Sequence, residues 1–281
     1  MSEKIIKGVS LPAYSVLMSV YAGEKAEFFK QSVDSMLAQT YPTDDFVLVC
    51  DGELTEELDE LVAHYEENYS FFHVLRLEEK LGTGGCANEG LKLCKNEYIV
   101  KMDSDDIALP ERCETSLYCM AKKPDTDILG AYIEEFDSVS GEYIATKKTP
   151  LTHKEIMKYA RRRNPFNNQT LVYKKSAVEK TGGYSDVKRC EDYDFVVRML
   201  AGGAKGRNIG KVLVRYRVTE GNYERRKNWA NTKSFIAVRW RIHKMGFSSL
   251  IDFLVPTALQ LIIFIMPSKL TGKIYKKLLR K

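Results

Sequence analysis

Short apolar segments alternate with longer amphipathic segments along the first half of the chain. An apolar run of about four to eight residues predicts a buried strand, whereas apolar residues recurring every three or four positions predict a helix. Strand-like runs lie at 14–20, 46–50, 71–77 and 98–102, and helical patterns lie between them at 24–39, 56–68 and 83–94. Strands that alternate with helices indicate βαβ units, so we expect an α/β fold with a mainly parallel sheet flanked by helices.

The pattern in the second half of the chain is less regular. Strand-like segments are predicted at 128–136, 169–173 and 212–218, and helices at 191–200 and 227–245. Gly141 indicates a hairpin turn before Tyr143, Gly182-Gly183 indicates a second turn, and the run 161–165 (RRRNP) interrupts regular structure. We expect one large α/β domain over residues 1–221 and a helical C-terminal region over residues 222–281.

The composition excludes disorder and a disulfide-rich secreted protein. A chain of 281 residues that is 44% hydrophobic, with 16 tyrosines and 12 phenylalanines, can bury a substantial core. The six cysteines form no C-x-x-C pair, and the N-terminal residues 1–9 lack the apolar core of a secretory signal. We therefore expect small buried thiols in the reducing cytosol.

Charge is segregated along the chain. Residues 222–281 carry 13 Lys and Arg against two acids, a net charge of +11, whereas residues 1–221 carry 30 basic and 36 acidic residues, a net charge of −6. The apolar run 253–266 inside the basic tail favours a membrane over nucleic acid as its partner, but its 14 residues are too few to span a bilayer. The pattern predicts an interfacial helix on an anionic membrane, with a helix packed on the catalytic body as the alternative.

Three aspartates, Asp103, Asp105 and Asp106, follow the predicted strand 98–102. Ligands of open α/β sheets bind outside the carboxyl ends of the strands, and hard divalent cations prefer carboxylate oxygens. Mg²⁺ typically binds one or two carboxylates together with substrate phosphates, which indicates a nucleoside diphosphate as the ligand. The alternative is a helix cap formed by Asp105 or Asp106 for a helix that begins near Pro110.

Two further side chains are expected at the same edge of the sheet. Tyr21 follows the first strand and could stack on a base, and Asp51 follows the second and could accept hydrogen bonds from a base or ribose. Each is also a common turn residue when it is considered alone. Polar groups at three strand ends together favour a ligand-binding site.

The segment 82–87 (GTGGCA) matches the G-x-G-x-x-G/A pattern of dinucleotide-binding folds and precedes a predicted helix, with Asp103 about twenty residues further on. An NAD-dependent oxidoreductase is therefore an alternative function. Two βα units precede the segment, however, whereas the fingerprint normally follows the first strand of its unit. A ribose also needs one acid at the strand end rather than three.

A second acidic cluster, Glu191-Asp192-Tyr193-Asp194, opens a predicted helix. Acids in a first turn are stabilised by the helix dipole, which alone would explain them. A carboxylate in this position could instead act as a general base on an acceptor hydroxyl. Asp194 should point away around the helix, which leaves Asp192 or Glu191 as the base.

The chain resembles the inverting glycosyltransferases of family 2, most closely those of bacterial exopolysaccharide and O-antigen synthesis. The similarity extends over about residues 14–226, and the motifs occur in the family's order. They are Ser15 to Tyr21, Asp51-Gly52, Leu81 to Leu91, Met102 to Arg112 and Glu191 to Asp194. The resemblance implies a GT-A fold and a nucleotide-sugar donor, with a lean to UDP, that is held through Mg²⁺ or Mn²⁺.

The resemblance also implies roles for single residues. Ser19, Tyr21 and Asp51 would line the nucleoside pocket, and Asp103 with Asp105 would form the D-x-D motif that binds the metal. Asp105 would be the direct ligand, and Asp103 would lie nearer the ribose or sugar. Asp192 would be the catalytic base of the Glu-Asp motif beside Glu191, and Arg225 with Arg226 could close on the diphosphate.

The expected function is a metal-dependent, inverting sugar transfer from a nucleotide sugar to a saccharide acceptor in bacterial surface polysaccharide synthesis. Because such enzymes commonly use lipid-linked acceptors, we expect a cytoplasmic protein that is peripheral at the inner face of the membrane and does not bind nucleic acid. The alternative from outside the enzymes is a catalytically silent scaffold of the same fold that binds membranes through its tail.

Overall fold

The computed structural model describes residues 4–187, 189–219 and 228–266. The strands are β1 (Ile5–Ile6), β2 (Val9–Ser10), β3 (Tyr14–Val20), β4 (Phe46–Cys50), β5 (Phe72–Arg76), β6 (Tyr98–Asp103), β7 (Ile107–Ala108), β8 (Ile128–Asp137), β9 (Tyr143–Lys147), β10 (Val172–Lys174) and β11 (Gly206–Val218). The helices are α1 (Ala26–Leu37), α2 (Glu56–Asn68), α3 (Gly82–Leu93), α4 (Arg112–Lys122), α5 (His153–Ala160), α6 (Lys175–Lys180), α7 (Glu191–Ala201), α8 (Trp229–Lys244) and α9 (Leu250–Ile265).

One large sheet organises the described residues. Its strand order is β5-β4-β3-β6-β10-β8-β11-β7, with β9 paired to β8. The first four strands are mutually parallel, and β8 is parallel to β11, whereas β10 runs antiparallel between β6 and β8. The predicted α/β fold with a mainly parallel sheet is confirmed.

Helices cover both faces of the sheet because its strands are apolar on both sides. Side chains of β3 and β4 alternate between two buried clusters. One cluster includes side chains from α1, α2 and α4, and the other includes side chains from α3, α5, α7 and α8. The α3 backbone packs so closely that a Cβ at Gly90 would lie 2.4 Å from Leu17 Cδ1, which explains the glycine.

The strongly patterned elements match their predictions, and the irregular ones do not. The segments 14–20, 46–50 and 56–68 have the predicted bounds. The strand predicted at 169–173 is limited to Val172–Lys174, because Asn168–Thr170 forms a 3₁₀ turn. The strand predicted at 212–218 begins earlier, at Gly206. Its first half was not predicted because register irregularities between Ile209 and Val214 disturb the alternation of side chains.

The C-terminal helices pack against the sheet domain at one end of α8. Val238 and Ile242 are buried in the same cluster as α3 and α7. No helix within residues 228–266 or the other described segments is long and apolar enough to cross a bilayer. The predicted domain boundary at residue 221 lies outside the described residues, as does the basic end of the tail from residue 267.

Candidate functional site

The carboxyl ends of three neighbouring strands bring the predicted site residues to one edge of the sheet. Ser19 on β3 pairs in register with Asp103 on β6. Val20 pairs with Cys50, so Asp51 follows at the same edge. This placement results from parallel pairing, in which strands start together and end together.

Lys101 lies beneath the first acidic turn. It is 4% exposed, and its ammonium donates to Asp103 Oδ1. The turn is also anchored through its backbone, because Ser32 Oγ donates to the Asp103 carbonyl at 2.8 Å. Lys101 was not among the predicted site residues, although a lysine inside an otherwise apolar strand signals a buried charge that needs a partner.

Asp105 lies in a crowded negative environment. Burial, followed by the charges of Asp103 and Glu24, raises the pKa of Asp105 from 3.8 to about 7, although Arg217 partly offsets this. Glu24 is held near the turn by a hydrogen bond from Ser104 Oγ at 3.2 Å. Like-charged carboxylates that raise one another's pKa are the environment that a bound cation would relieve.

Asp106 has a different function from its neighbour. It is fully buried, and its Oδ1 accepts the backbone N–H of Arg217 at 2.9 Å. Burial and the neighbouring acids raise the pKa of Asp106 well above its ordinary value. The expectation that Asp106 is a helix cap is wrong, because β7 intervenes and α4 begins only at Arg112.

Arg217 on β11 holds the whole turn. Its Nε donates to the Asp105 carbonyl at 2.7 Å, and its Nη2 donates to Gln31 Oε1 at 2.7 Å. The guanidinium also stacks 4.0 Å from the Phe28 ring centre. Sequence reasoning missed Arg217, because it lies 112 residues from Asp105 and belongs to an ordinary alternating strand.

Asp51 and Tyr21, the residues predicted to contact the nucleoside, lie at the ends of β4 and β3. The Asp51 carboxylate accepts the N–H of Leu81 at 2.7 Å and that of Gly82 at 3.1 Å, so it caps the start of α3. The Tyr21 ring is 44% exposed and lies over Gly23, where a Cβ would be only 2.4 Å away. The base contact predicted for Asp51 stays a prediction, whereas the Tyr21 ring is accessible for stacking.

A small pocket lies between the strand ends and α3. Its polar lining comes from Ser19, Thr83 and Lys101, and Cys86 and Ala87 contribute apolar surface. The glycines of the segment 82–87 belong to the first turn of α3. They permit close packing there, since a Cβ at Gly84 would lie 3.2 Å from Tyr184 Cβ.

The second acidic turn lies at the start of α7. Cys190, the residue before the helix, has a left-handed backbone with φ of 61°, an uncommon conformation for a residue with a side chain. Asp192 Oδ2 accepts a hydrogen bond from Asn164 Nδ2 at 3.0 Å. Burial and Asp192 raise the pKa of Glu191, and the Lys101 charge lowers it. Lys101 therefore acts electrostatically on both acidic turns.

Asp194 points away from this cluster, as the helical spacing predicts. It is fully buried, and its Oδ2 accepts from Ser185 Oγ at 2.6 Å and from Arg198 Nε at 2.7 Å. Its carboxylate is therefore structural. The predicted diphosphate-binding pair, Arg225 and Arg226, lies outside the described residues.

The first acidic turn offers ligand atoms that suit a divalent cation. Asp105 and Asp103 offer carboxylates at a strand end, and burial, together with the charges of Asp103 and Glu24, raises the pKa of Asp105. Among the described residues, no three Asp, Glu, His or Cys side chains converge closely enough to hold an ion. Two carboxylates are too few for a closed protein site, so Mg²⁺ or Mn²⁺ bound there would need substrate phosphate and water as further ligands.

Proteins of similar sequence include two bacterial glycosyltransferases. The chain is 31% identical over 96% of its length to UDP-Gal:alpha-D-GlcNAc-diphosphoundecaprenol beta-1,3-galactosyltransferase of Escherichia coli, of which 98% is covered. It is 32% identical over 94% of its length to the amylovoran biosynthesis glycosyltransferase AmsE of Erwinia amylovora, of which 98% is covered.

Solved structures with the same fold include two complexes with nucleotide sugars. Residues 1–349 of S. aureus TarS in complex with UDP-GlcNAc superpose with a TM-score of 0.66 at 17% identity, covering 94% of this chain and 73% of that one. Mannosyltransferase PcManGT from Pyrobaculum calidifontis in complex with GDP-Man and Mn²⁺ superposes with a TM-score of 0.66 at 14% identity, covering 91% of this chain and 71% of that one. These matches confirm the predicted GT-A fold.

The sequence profile named Glycosyl transferase family 2 matches residues 15–182, which include the ends of β3, β4 and β6 and the first acidic turn. With near-full-length relatives above 30% identity, the chain belongs to glycosyl transferase family 2.

Proposed function

We propose that this glycosyltransferase transfers a sugar from a UDP-sugar to a lipid-linked saccharide, with inversion, and that it needs a divalent cation. The observation that carries the proposal is the convergence of the two acidic turns. Lys101 donates to Asp103, and its charge lowers the pKa of Glu191. The pKa of Tyr184 is raised by burial and also by the charges of both Asp103 and Asp192. One turn suits the donor's diphosphate, and the other suits the acceptor's hydroxyl.

The chemistry is a single displacement at the anomeric carbon. Asp192 takes the proton of the acceptor hydroxyl while the hydroxyl oxygen forms a bond to the anomeric carbon. The bond between that carbon and the donor's phosphate oxygen breaks, and its electron pair stays on the phosphate oxygen. The nucleoside diphosphate leaves with the added negative charge. A divalent cation held by Asp105 and Asp103 would supply charge neutralisation for that leaving group. Arg225 and Arg226 would add guanidinium contacts from the segment outside the described residues.

The donor and acceptor classes are supported by the similar proteins. The E. coli relative is named for a UDP-sugar donor and a diphosphoundecaprenol acceptor, and the TarS structure contains UDP-GlcNAc. Tyr21 is accessible for stacking on the uracil, and Ser19 lies two positions before it, near the end of β3. We therefore assign the nucleoside to the β3–β4 side of the site.

We also propose that α8 and α9 place the enzyme on the inner face of the membrane. The exposed side of α9 is a continuous apolar stripe (Ile251, Leu254, Val255, Leu259, Ile262 and Ile265). Trp229 and Trp240 are exposed on α8, with Lys233 and Lys244 lying 5.7 and 5.5 Å from their ring centres. Apolar stripes with neighbouring tryptophan and lysine suit an anionic lipid interface.

A binding and hydrolysis screen tests the catalytic proposal. UDP with Mn²⁺ should raise the melting temperature, and UDP-sugars should be hydrolysed slowly in a metal-dependent way. A shift with NAD instead would support the oxidoreductase alternative. Absence of any shift or hydrolysis would favour the silent scaffold.

A vesicle assay tests the membrane proposal separately. The full-length triple variant Ile251→Ser, Leu259→Ser, Ile262→Ser should lose binding to vesicles containing phosphatidylglycerol while keeping its melting temperature. Val139→Ser is the control, because Val139 is an apolar residue that is 90% exposed and belongs to the β8–β9 turn rather than to α9. Equal vesicle binding by the triple variant and the wild type would refute the interfacial role of α9.

A further inference from the structure

Asn164 joins the predicted general base to a distant part of the chain. Its Nδ2 donates to Asp192 Oδ2 at 3.0 Å, and its own Oδ1 accepts the N–H of Phe166 at 3.1 Å. These two contacts fix the orientation of the amide. A flipped side chain would direct its oxygen at the Asp192 carboxylate and its NH₂ group at the Phe166 N–H. Asp192 therefore faces a donor that the chain itself has oriented.

The segment around Asn164 is held by the C-terminal helices. Arg162 Nε donates to Asp252 Oδ1 at 2.5 Å, and Asp252 lies in the capping box of α9, where Ser249 Oγ donates to its Oδ2 at 2.8 Å. From α8, Arg239 Nη2 donates to the Arg162 carbonyl at 2.9 Å. Two helices from the C-terminal region thus contact one residue that lies two positions before Asn164.

The same helices reach α7 directly. The Arg239 guanidinium lies 5.0 Å from the ring centre of Tyr193, the residue after Asp192. The Tyr193 hydroxyl donates to the Ala160 carbonyl at 2.7 Å, at the end of α5. The start of α7, the segment 161–165 and the C-terminal helices therefore form one connected set of contacts around the base.

We propose that Asn164 is the positioning residue for Asp192, and that α8 and α9 support it through Arg162. This inference rests on the proposed role of Asp192 as the general base. Asn164 occupies Oδ2 of the carboxylate, and no hydrogen bond from the described residues reaches Oδ1. Oδ1 is then the atom that takes the proton from the acceptor hydroxyl, and the C-terminal region contributes to catalysis as well as to location.

Two substitutions at Asn164 test the positioning role. Asn164→Ala should lower kcat roughly 10- to 100-fold, because an unrestrained carboxylate loses its alignment with the acceptor. The KM for the donor and the affinity for UDP with Mn²⁺ should change less than about twofold, since donor contacts remain. Asn164→Asp, which replaces the amide with a like charge, should lose more. Asn164→Ser, which keeps a donor, should recover part of kcat.

The supporting role of α9 has its own matched pair. Arg162→Ala should lower kcat several-fold in detergent-free assays with a soluble acceptor, whereas Arg161→Ala should not, because both arginines are exposed but only Arg162 bonds to Asp252. Asp252→Asn retains a capping side chain but removes the charge. The double variant Arg162→Ala, Asp252→Asn should be no slower than Arg162→Ala alone. If the losses of kcat in the two single variants were additive in the double variant, α9 would not act through Arg162.

The outcomes separate this inference from the proposed function. Full activity of Asp192→Asn would remove the base and this inference together. An inactive Asp192→Asn with wild-type kcat in Asn164→Ala would overturn only the positioning role. If Asn164→Ala fails to bind UDP with Mn²⁺, the test rests on Asn164→Ser and Asn164→Asp. An increase in KM without a change in kcat in both of these variants would contradict the inference.

Discussion

The two acidic turns, 103–106 and 191–194, are built alike but differ in how their charge is balanced. Each contains one fully buried acid with internal donors: Asp106 accepts from the Arg217 backbone, and Asp194 accepts from Arg198 and Ser185. Each also contains partly buried acids. Within each acidic run, the fully buried acid maintains the turn, and its partly buried neighbours remain accessible to a ligand.

The difference lies in what faces the available acids. Burial, Asp103 and Glu24 raise the pKa of Asp105 to about 7, whereas Asp192 accepts from the neutral amide of Asn164. A crowded carboxylate gains from an external cation, and a singly held carboxylate can accept a proton. The comparison supports the proposal that the first turn binds the ion and that the second transfers the proton.

Removing the charge of Asp192 should have the largest effect on turnover. Asp192→Asn should lower kcat by about 10²- to 10⁴-fold, the usual contribution of a general base, while binding of UDP with Mn²⁺ is retained. Steady-state kinetics and calorimetric titration measure the two quantities. Glu191→Gln is the control in the same turn and should lose less, and the reverse ranking would transfer the base to Glu191.

Removing the buried acid of the same turn should affect folding instead. Asp194→Ala leaves Arg198, whose side chain is 12% exposed, without its carboxylate partner. The expected loss of unfolding free energy is about 3–5 kcal/mol, typical of breaking a buried pair. Urea denaturation measures it, with Asp192→Ala as the comparison expected to lose less than about 1 kcal/mol. Equal losses would mean that burial does not separate the two acids.

In the first turn, Asp105→Asn should weaken Mn²⁺ binding in the presence of UDP by roughly 10- to 100-fold. Asp106→Asn should preserve that affinity more closely, because an asparagine oxygen can still accept the Arg217 N–H. Titration followed by electron paramagnetic resonance of free Mn²⁺ distinguishes the two. A larger loss in Asp106→Asn would assign the ion to the inner acid.

The sequence was sufficient for the regular half of the fold and for the site residues that lie at its strand ends. The bounds 14–20 and 46–50 follow from dense apolar runs, and parallel pairing then fixes Ser19 and Asp103 at one edge. The helix α5 was missed although Thr152 and Glu155 form a capping box, because eight residues make only about two helical turns, too short a segment for its period to be recognised.

The supporting residues could not be predicted, because their partners are distant in sequence. Arg217 reaches Asp105 across 112 positions, and Arg162 reaches Asp252 across 90. Local patterns report which element a residue belongs to, but not which loop from another element lies against it. Asp106 shows the consequence: its neighbours in sequence suggested a cap, and its partner in space is β11.

The smallest expected effect is on the pH dependence of stability without metal. The pKa of Asp105 is raised from 3.8 to about 7 in the folded protein, so between these values the folded state binds more protons than the unfolded one. Stability must then fall as pH rises from about 4 to about 7, and Asp106 and Glu191 act in the same direction.

With chelator present, the melting temperature of the wild type should fall about 2–4 °C more than that of Asp105→Asn over this pH range, a modest difference because solvent screens a partly exposed group. Differential scanning calorimetry measures the slope, and UDP with Mn²⁺ should remove the difference by supplying the missing positive charge. Parallel slopes for wild type and Asp105→Asn would show that the first turn is no more strained by its charge than the second, which would erase the contrast on which their separate roles depend.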